Sequence, residues 1–280
     1  MKFRTALTLA LALAAAASTT ACTSLPTSGD PHSFASETSP REPLSQFGSG
    51  PREDSDPEGL IEDFLRACAA GVYDDFATAR LYLTPEASLK WTPGDQVIIF
   101  PTEVSPKVQV TEEGDVGSVT VTAETMGTLE AKRTLVESPK TGVASLGFDL
   151  AKNEDGQWRI VGLDDGVLLS QSAFNTAFQP VDLYFPSQDG VALVADPRWY
   201  PRTPKQATLL VEGLVGGPSP AVAPAVAGTF AEGWSIPLRG VEVVDGSAVV
   251  DLAGTPELQD AEKRVLTWAV IQTVRQATTV

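Results

Sequence analysis

Between Val97 and Val161 the chain repeats one unit: a short run of β-branched or aromatic residues, then a turn. The runs are Val97–Phe100, Lys107–Thr111, Gly117–Thr122, Thr128–Thr134, Leu146–Ala151 and Trp158–Val161. Several alternate apolar and polar residues at the period of a half-buried strand. Glu112–Asp115, Pro139–Gly142 and Asn153–Gly156 supply turn residues between them. An antiparallel meander is therefore expected. The segment before it has helical periodicity. Ser55 or Asp56 can cap a helix, Pro57 suits its first turn, and Leu60, Ile61, Phe64, Leu65 and Cys68 share one face. This predicts a helix over about 57–70, stopped by Gly71. Asp74 and Asp75 then cap a second short helix through Phe76, Ala79 and Arg80. Helices followed by a run of strands make an α+β domain, placed at 55–166.

A second α+β unit is expected over 180–280, after a connector at 167–179. Val181–Phe185 reads as a strand with Val191–Ala195 as its partner. Thr203-Pro-Lys-Gln206 has the form of a capping box before Leu209, Leu210 and Leu214. Asp245-Gly246, flanked by strand formers from Val241 to Leu252, predicts a tight hairpin. Thr255-Pro-Glu257 is expected to open a last helix.

Residues 1–22 have the form of an export signal. A basic start (Lys2, Arg4) precedes the apolar run Ala6–Ala17, too short to span a bilayer, and small residues lead to Cys22. A small residue directly before a cysteine there resembles a bacterial lipobox, in which Cys22 is acylated and becomes the new N-terminus. Thr19 stands where such a motif usually carries an aliphatic residue. The alternatives are plain secretion with cleavage near Ala21, or an uncleaved short anchor. Two acyl chains suffice for stable anchoring. Residues 23–54, rich in Ser, Thr, Pro, Gly and charge, cannot bury enough apolar surface to offset chain entropy, and they read as a disordered tether. His32, the one histidine of the sequence, falls within it.

Charge excludes further classes. The formal net charge is −16, and removal of residues 1–22 makes it −18. With no basic cluster, nucleic-acid binding is excluded as an expectation. The same charge would be repelled by anionic lipid, so the membrane contact has to come through the lipid anchor. One histidine and two cysteines leave no Cys/His zinc site, and no metal or other cofactor is expected.

Several motifs carry a family resemblance. Phe148–Val161 resembles the last hairpin of nuclear-transport-factor-like domains, in which a helix packs inside a curved, cone-like sheet. Ser24-Leu-Pro-Thr-Ser-Gly29, close after Cys22, and Phe76-Ala-Thr-Ala-Arg-Leu-Tyr-Leu-Thr-Pro85 resemble the LpqB family of actinobacterial lipoproteins. The region from about 181 to 280 is similar to a GerMN domain through Leu183–Phe185, the helix end at Leu210–Pro218, and the Val244–Gly246 turn. The resemblance implies a non-catalytic accessory on the extracytoplasmic face of the cell membrane. Its implied partner is the extracellular domain of a sensor histidine kinase, in a two-component system of the MtrA–MtrB type. It also implies further strands and a propeller beyond Val280, so the second unit is expected to be incomplete.

The residues themselves offer little catalytic chemistry. With no histidine in the folded regions, Ser-His-Asp and Cys-His arrangements are unattainable. The pairs Asp74/Asp75, Asp164/Asp165 and Glu112/Glu113 sit in expected caps or turns, where carboxylates accept backbone N–H bonds. Asn153–Gly156 offers oxygen ligands without calcium-loop spacing. Cys68, on an apolar stripe, is expected to be a buried small hydrophobe. Trp91, Phe100, Phe148 and Trp158 either fill the first core or line a ligand pocket. Trp199 and Tyr200, between Arg198 and Pro201, have the composition of partner-binding anchors or could cover the helix that follows. The competing function is an envelope lipoprotein that binds a lipid or peptidoglycan-related ligand.

Overall fold

Asp56 accepts the Gly59 N–H at 2.8 Å and starts helix α1, Pro57–Asp74. The computed structural model describes residues 48–139, 142–227, 233–254 and 258–277. Leu60, Ile61, Phe64 and Cys68 are buried as their spacing requires. The helix runs through Gly71 rather than stopping there. A Cβ at Gly71 would strike the Phe76 ring, so this glycine is a notch that receives an aromatic side chain. The stop comes from Asp75 and Phe76, both left-handed with φ 58° and 60°. Helix α2, Ala77–Arg80, follows, with Asp74 Oδ2 accepting the Thr78 N–H at 3.0 Å. Helix α3, Pro85–Lys90, is capped by Thr84.

Eight strands follow the helices. They are β1 (Gln96–Phe100), β2 (Lys107–Glu113), β3 (Val116–Glu124), β4 (Gly127–Glu130), β5 (Leu135–Glu137), β6 (Val143–Lys152), β7 (Trp158–Leu163) and β8 (Val167–Ser170). One sheet has the order β2-β3-β6-β7 and is antiparallel throughout; the other has the order β5-β4-β1-β8. Helix α1 contacts β2, β3 and β7 of the first and β8 of the second. Val119 opposite Phe148 and Val121 opposite Leu146 turn the apolar face of the β3–β6 pair inward. Phe64 packs at 5.5 Å from Trp91 and 5.8 Å from Phe148 between ring centroids. Burying such a side chain contributes about 1.5–3 kcal/mol. Trp91, Phe148 and Trp158 are thus buried in this core, whereas Phe100 is half-buried and lines a cleft of about 350 Å³ with Leu65, Ala69 and Val108.

Two stretches depart from expectation. Thr128–Thr134 is not one strand, because Arg133 adopts φ 64° and reverses the chain between β4 and β5. The stretch 167–179, expected as a connector, carries β8 and helix α4 (Gln171–Ala177). β8 pairs parallel to β1, and its Val167, Leu168 and Leu169 are all buried. A strand covered on both faces shows no alternation, so period-two reading passes over it.

The second part opens with the hairpin β9 (Phe178–Pro186) and β10 (Leu193–Pro201). Helix α5 (Gln206–Val215), a short helical turn at Ala223–Ala225, the hairpin β11 (Glu242–Val244) and β12 (Ser247–Val249), and helix α6 (Asp260–Val274) follow. Asp245 and Gly246 make the expected turn with φ 49° and 71°. The capping box at Thr203–Gln206 does not form. Gln206 is fully buried, donates from Nε2 to Pro201 O at 2.9 Å and accepts from Gln179 Nε2 at 3.0 Å, so α5 begins without a side-chain cap. Residues 255–257 lie outside the described residues; α6 is opened by a capping box between Gln259 and Glu262. From the far end of α6, Thr273 Oγ1 accepts the Tyr184 N–H at 3.0 Å, and Gln276 accepts the Asp182 N–H at 3.1 Å. The chain is α+β throughout the described residues.

Candidate functional site at the seam between two cores

The buried apolar side chains form two clusters, one drawn from Leu60 through Phe178 and one from Val181 through Ala277. Strand β10 joins them, since successive residues of a strand point to opposite faces. Trp199 is half-buried against the first cluster, its ring 5.0 Å from Phe174, which stacks on Phe178 at 4.9 Å. Tyr200 points the other way and is 2% exposed within the second cluster. A Cβ at Gly213 in α5 would collide with the Tyr200 hydroxyl. Burial pushes the Tyr200 pKa up. The pair expected as a surface patch is thus split: Tyr200 is core, and Trp199 spans the seam. β10 extends past its expected end at Ala195 because Pro197 and Pro201, which break the strand signal in sequence, sit on an edge strand where a missing N–H is tolerated.

Asp196 and Arg198 share a face of β10 with Tyr200. Arg198 Nη2 lies 2.7 Å from Asp196 Oδ2, with both side chains almost wholly buried. Asp196 Oδ2 also accepts the Ser219 N–H at 2.7 Å, and Arg198 Nη2 donates to Gly217 O at 2.6 Å. The ion pair therefore holds the loop after α5 onto the hairpin.

Arg133 approaches the seam from the first part. Its carbonyl accepts the Trp199 N–H at 2.9 Å. Its half-buried guanidinium faces a cavity of about 510 Å³ lined by Tyr73, Phe76, Phe178, Thr203 and Leu209. Burial pushes the Arg133 pKa down, while Tyr200 and Glu212 push it back up. Lys205, at the same cavity, pairs with Asp75 at 3.3 Å. Across the seam, Trp199 lines a cleft of about 710 Å³ with Ile99, Leu135 and Phe174, and Glu124, Met126 and Glu137 stand at it as exposed residues.

The carboxylate pairs serve local structure where the structure gives them partners. Asp164 Oδ2 accepts the Gly147 N–H at 2.9 Å, and Asp165 Oδ1 accepts the Thr92 N–H at 2.7 Å. The Thr92 hydroxyl and N–H hold the Asp165 pKa below its ordinary value. Glu112 and Glu113 are exposed at the end of β2. Asn153 Oδ1 is occupied by the N–H groups of Asp155 and Gln157, which closes an ordinary side-chain-capped turn. Cys68 is buried, and desolvation followed by the nearby Asp74 charge raises its pKa far above the usual thiol range. Among the described residues no group of three or more His, Cys, Asp and Glu side chains is placed to hold a metal ion. No helix among them is long and apolar enough to cross a membrane. Cys22, His32 and the Ser24–Gly29 motif lie outside the described residues.

Sequence reasoning missed Arg133 and the Asp196–Arg198 pair. The spacing Asp-x-Arg-x-Tyr at 196–200 is a period-two signal that the flanking prolines obscure.

Comparison with known proteins places this architecture. Residues 50–175 match the family model described as the lipoprotein LpqB, N-terminal domain. The lipoprotein LpqB of Rhodococcus opacus (strain B4) is 30% identical over 281 residues, covering 96% of this chain and 45% of that protein. That of Nocardia farcinica (strain IFM 10152) is 31% identical over 92% of this chain and 43% of its own length. That of Streptomyces coelicolor is 30% identical over 77% of this chain and 37% of its own. The chain thus spans less than half the length of these relatives. With its N-terminal domain matched as a unit and the similarity continuing through most of the remainder, the chain belongs to the LpqB lipoprotein family.

Proposed function

We propose that the protein is held to the extracytoplasmic face of the cell membrane by acylated Cys22 and modulates a sensor histidine kinase of the MtrA–MtrB type by direct contact with the kinase's extracellular domain. The lipoprotein family supports the anchor. The observation that carries a contact role is the Trp199 cleft: a half-buried tryptophan at an apolar floor, with Glu124, Met126 and Glu137 exposed beside it. An aromatic anchor within a polar, charged rim is the arrangement that concentrates binding energy at protein interfaces. The acidic rim suits a basic patch on the partner, and steering by opposite charge raises the association rate. The stretch expected as a tether, 23–54, is docked at its end, where Tyr82 Oη donates to Ser49 O at 2.8 Å and Arg52 pairs with Asp63 at 2.9 Å. A tether ahead of Gly48 would keep the folded part near its membrane neighbours and raise its effective concentration.

In-cell cross-linking, affinity capture and mass spectrometry test this. The expected result is recovery of the sensor kinase together with an acylated Cys22 peptide. Reversing the rim charges, Glu124→Lys with Glu137→Lys, should weaken capture about tenfold, since both side chains are exposed and the change leaves the cores intact. An acylated peptide without kinase, or capture indifferent to the reversal, would move the partner role away from this cleft.

A further inference from the structure

We infer that the cavity on the Arg133 side of the seam binds a small monocarboxylate with an apolar body, the carboxylate on the Arg133 guanidinium and the body against Tyr73, Phe76 and Phe178. The inference is independent of the kinase reading and concerns the other side of β10.

Three observations combine. The cavity, about 510 Å³, has room for a molecule of eight to ten heavy atoms with space left over, and three aromatic side chains, Leu209 and several prolines line it. Pockets of this size with an apolar lining and one or two placed polar groups are the usual form of a small-molecule site. Second, Arg133 lines the cavity without a hydrogen bond or ion pair from its side chain to any described residue. Glu212 acts on the guanidinium through space but bonds to none of its N–H groups, and a partly desolvated planar fork with unmet donors matches a carboxylate in two-point geometry. Third, the backbone holds it there. Arg133 sits at φ 64°, a conformation that side-chain-bearing residues seldom adopt, pinned by its N–H to Glu130 O at 2.7 Å and by its carbonyl to Trp199 at 2.9 Å.

The charge balance of the walls selects among anions. Asp74 and Asp75 line the same cavity, and the other cation there, Lys205, already pairs with Asp75. A doubly charged phosphate would meet these acids with a single guanidinium to offset it. A carboxylate asks for one positive charge, and Arg133 supplies one. An uncharged alcohol of equal length would fill the apolar wall and leave Arg133 unpaired.

Octanoate, octanol and octyl phosphate, each titrated calorimetrically into the full chain, separate these cases. Octanoate should bind, with octanol and octyl phosphate each at least tenfold weaker. Arg133→Gln should lose the octanoate response. Because Arg133 also supports the turn, a second variant leaves it in place. A Cβ at Gly94 would lie 3.7 Å from Arg133 Nη2 with no other atom within 4 Å. Gly94→Asp should therefore supply an internal carboxylate that occupies the guanidinium and weakens octanoate at least tenfold, with the thermal midpoint retained. Octanoate that does not bind, or that binds Gly94→Asp as it binds the parent, overturns the inference. Equal binding of octanol and octanoate would show an apolar cleft without a carboxylate site, and also overturns it.

Discussion

Arg198 and Asp196 stand two residues apart on β10 and meet at 2.7 Å with almost no exposure to water. Taking either partner away leaves a buried charge with no counter-charge, which costs about 3–5 kcal/mol. Arg198→Met and Asp196→Leu should each lose that much in urea unfolding. The double replacement should recover part of it, because an apolar pair carries no charge to desolvate but leaves the Ser219 N–H and the Gly217 carbonyl without their partners. Two single losses that simply add in the double variant would mean the charges do not act as a pair.

The Tyr200 hydroxyl occupies the space where Gly213 lacks a side chain. Gly213→Ala should destabilise by about 1–3 kcal/mol through overpacking. Tyr200→Phe in the same chain should return part of the loss by removing the atom in collision. If the rescue is nil, the strain must come from Leu183, the other neighbour of that position.

Asp165 ties the turn before β8 to Thr92, and the bonds from Thr92 lower its folded pKa. A carboxylate whose folded pKa is depressed contributes stability above its unfolded pKa, and that contribution disappears as pH falls through the folded one. The unfolded value is near 3.8. The thermal midpoint of Asp165→Ala should therefore lie below that of the parent at pH 7, and the gap should close in acid below about pH 4. A gap independent of pH would assign the effect to packing.

Cys68 is shut inside α1's apolar face, and its raised pKa leaves almost no thiolate at neutral pH. Alkylating reagents act on the thiolate. In a mature chain whose Cys22 is blocked, labelling with iodoacetamide should be negligible until denaturant unfolds the protein. Rapid labelling of the native state would place Cys68 in an opening segment.

The parts of the fold legible in sequence were those with one face in water. β3 and β6 alternate because their outer faces are wet, and α1 shows its stripe for the same reason. β8 was hidden because both of its faces are covered, and the part of β10 after Ala195 because prolines interrupt it. Gly71 and the Thr203–Gln206 segment misled for a shared reason: a residue type with a strong local meaning was recruited for tertiary packing, as a notch for Phe76 and as a buried amide for Pro201. The site was less legible still. Arg133 acquires its position from a left-handed turn inside what reads as a continuous strand, and its cavity exists only where two separate cores meet.

The β9–β10 hairpin is closed to recruitment over part of both margins. On one margin α6 answers the N–H groups of Asp182 and Tyr184 with side-chain oxygens. On the other, Trp199 sends its N–H to Arg133, so Pro197 and Pro201, at the same parity, stand where outward donors would otherwise be offered. Along these stretches a strand from another molecule would find few backbone groups to pair with. Whatever meets the hairpin along Asp182–Tyr184 or Pro197–Pro201 must therefore read it through side-chain shape and charge.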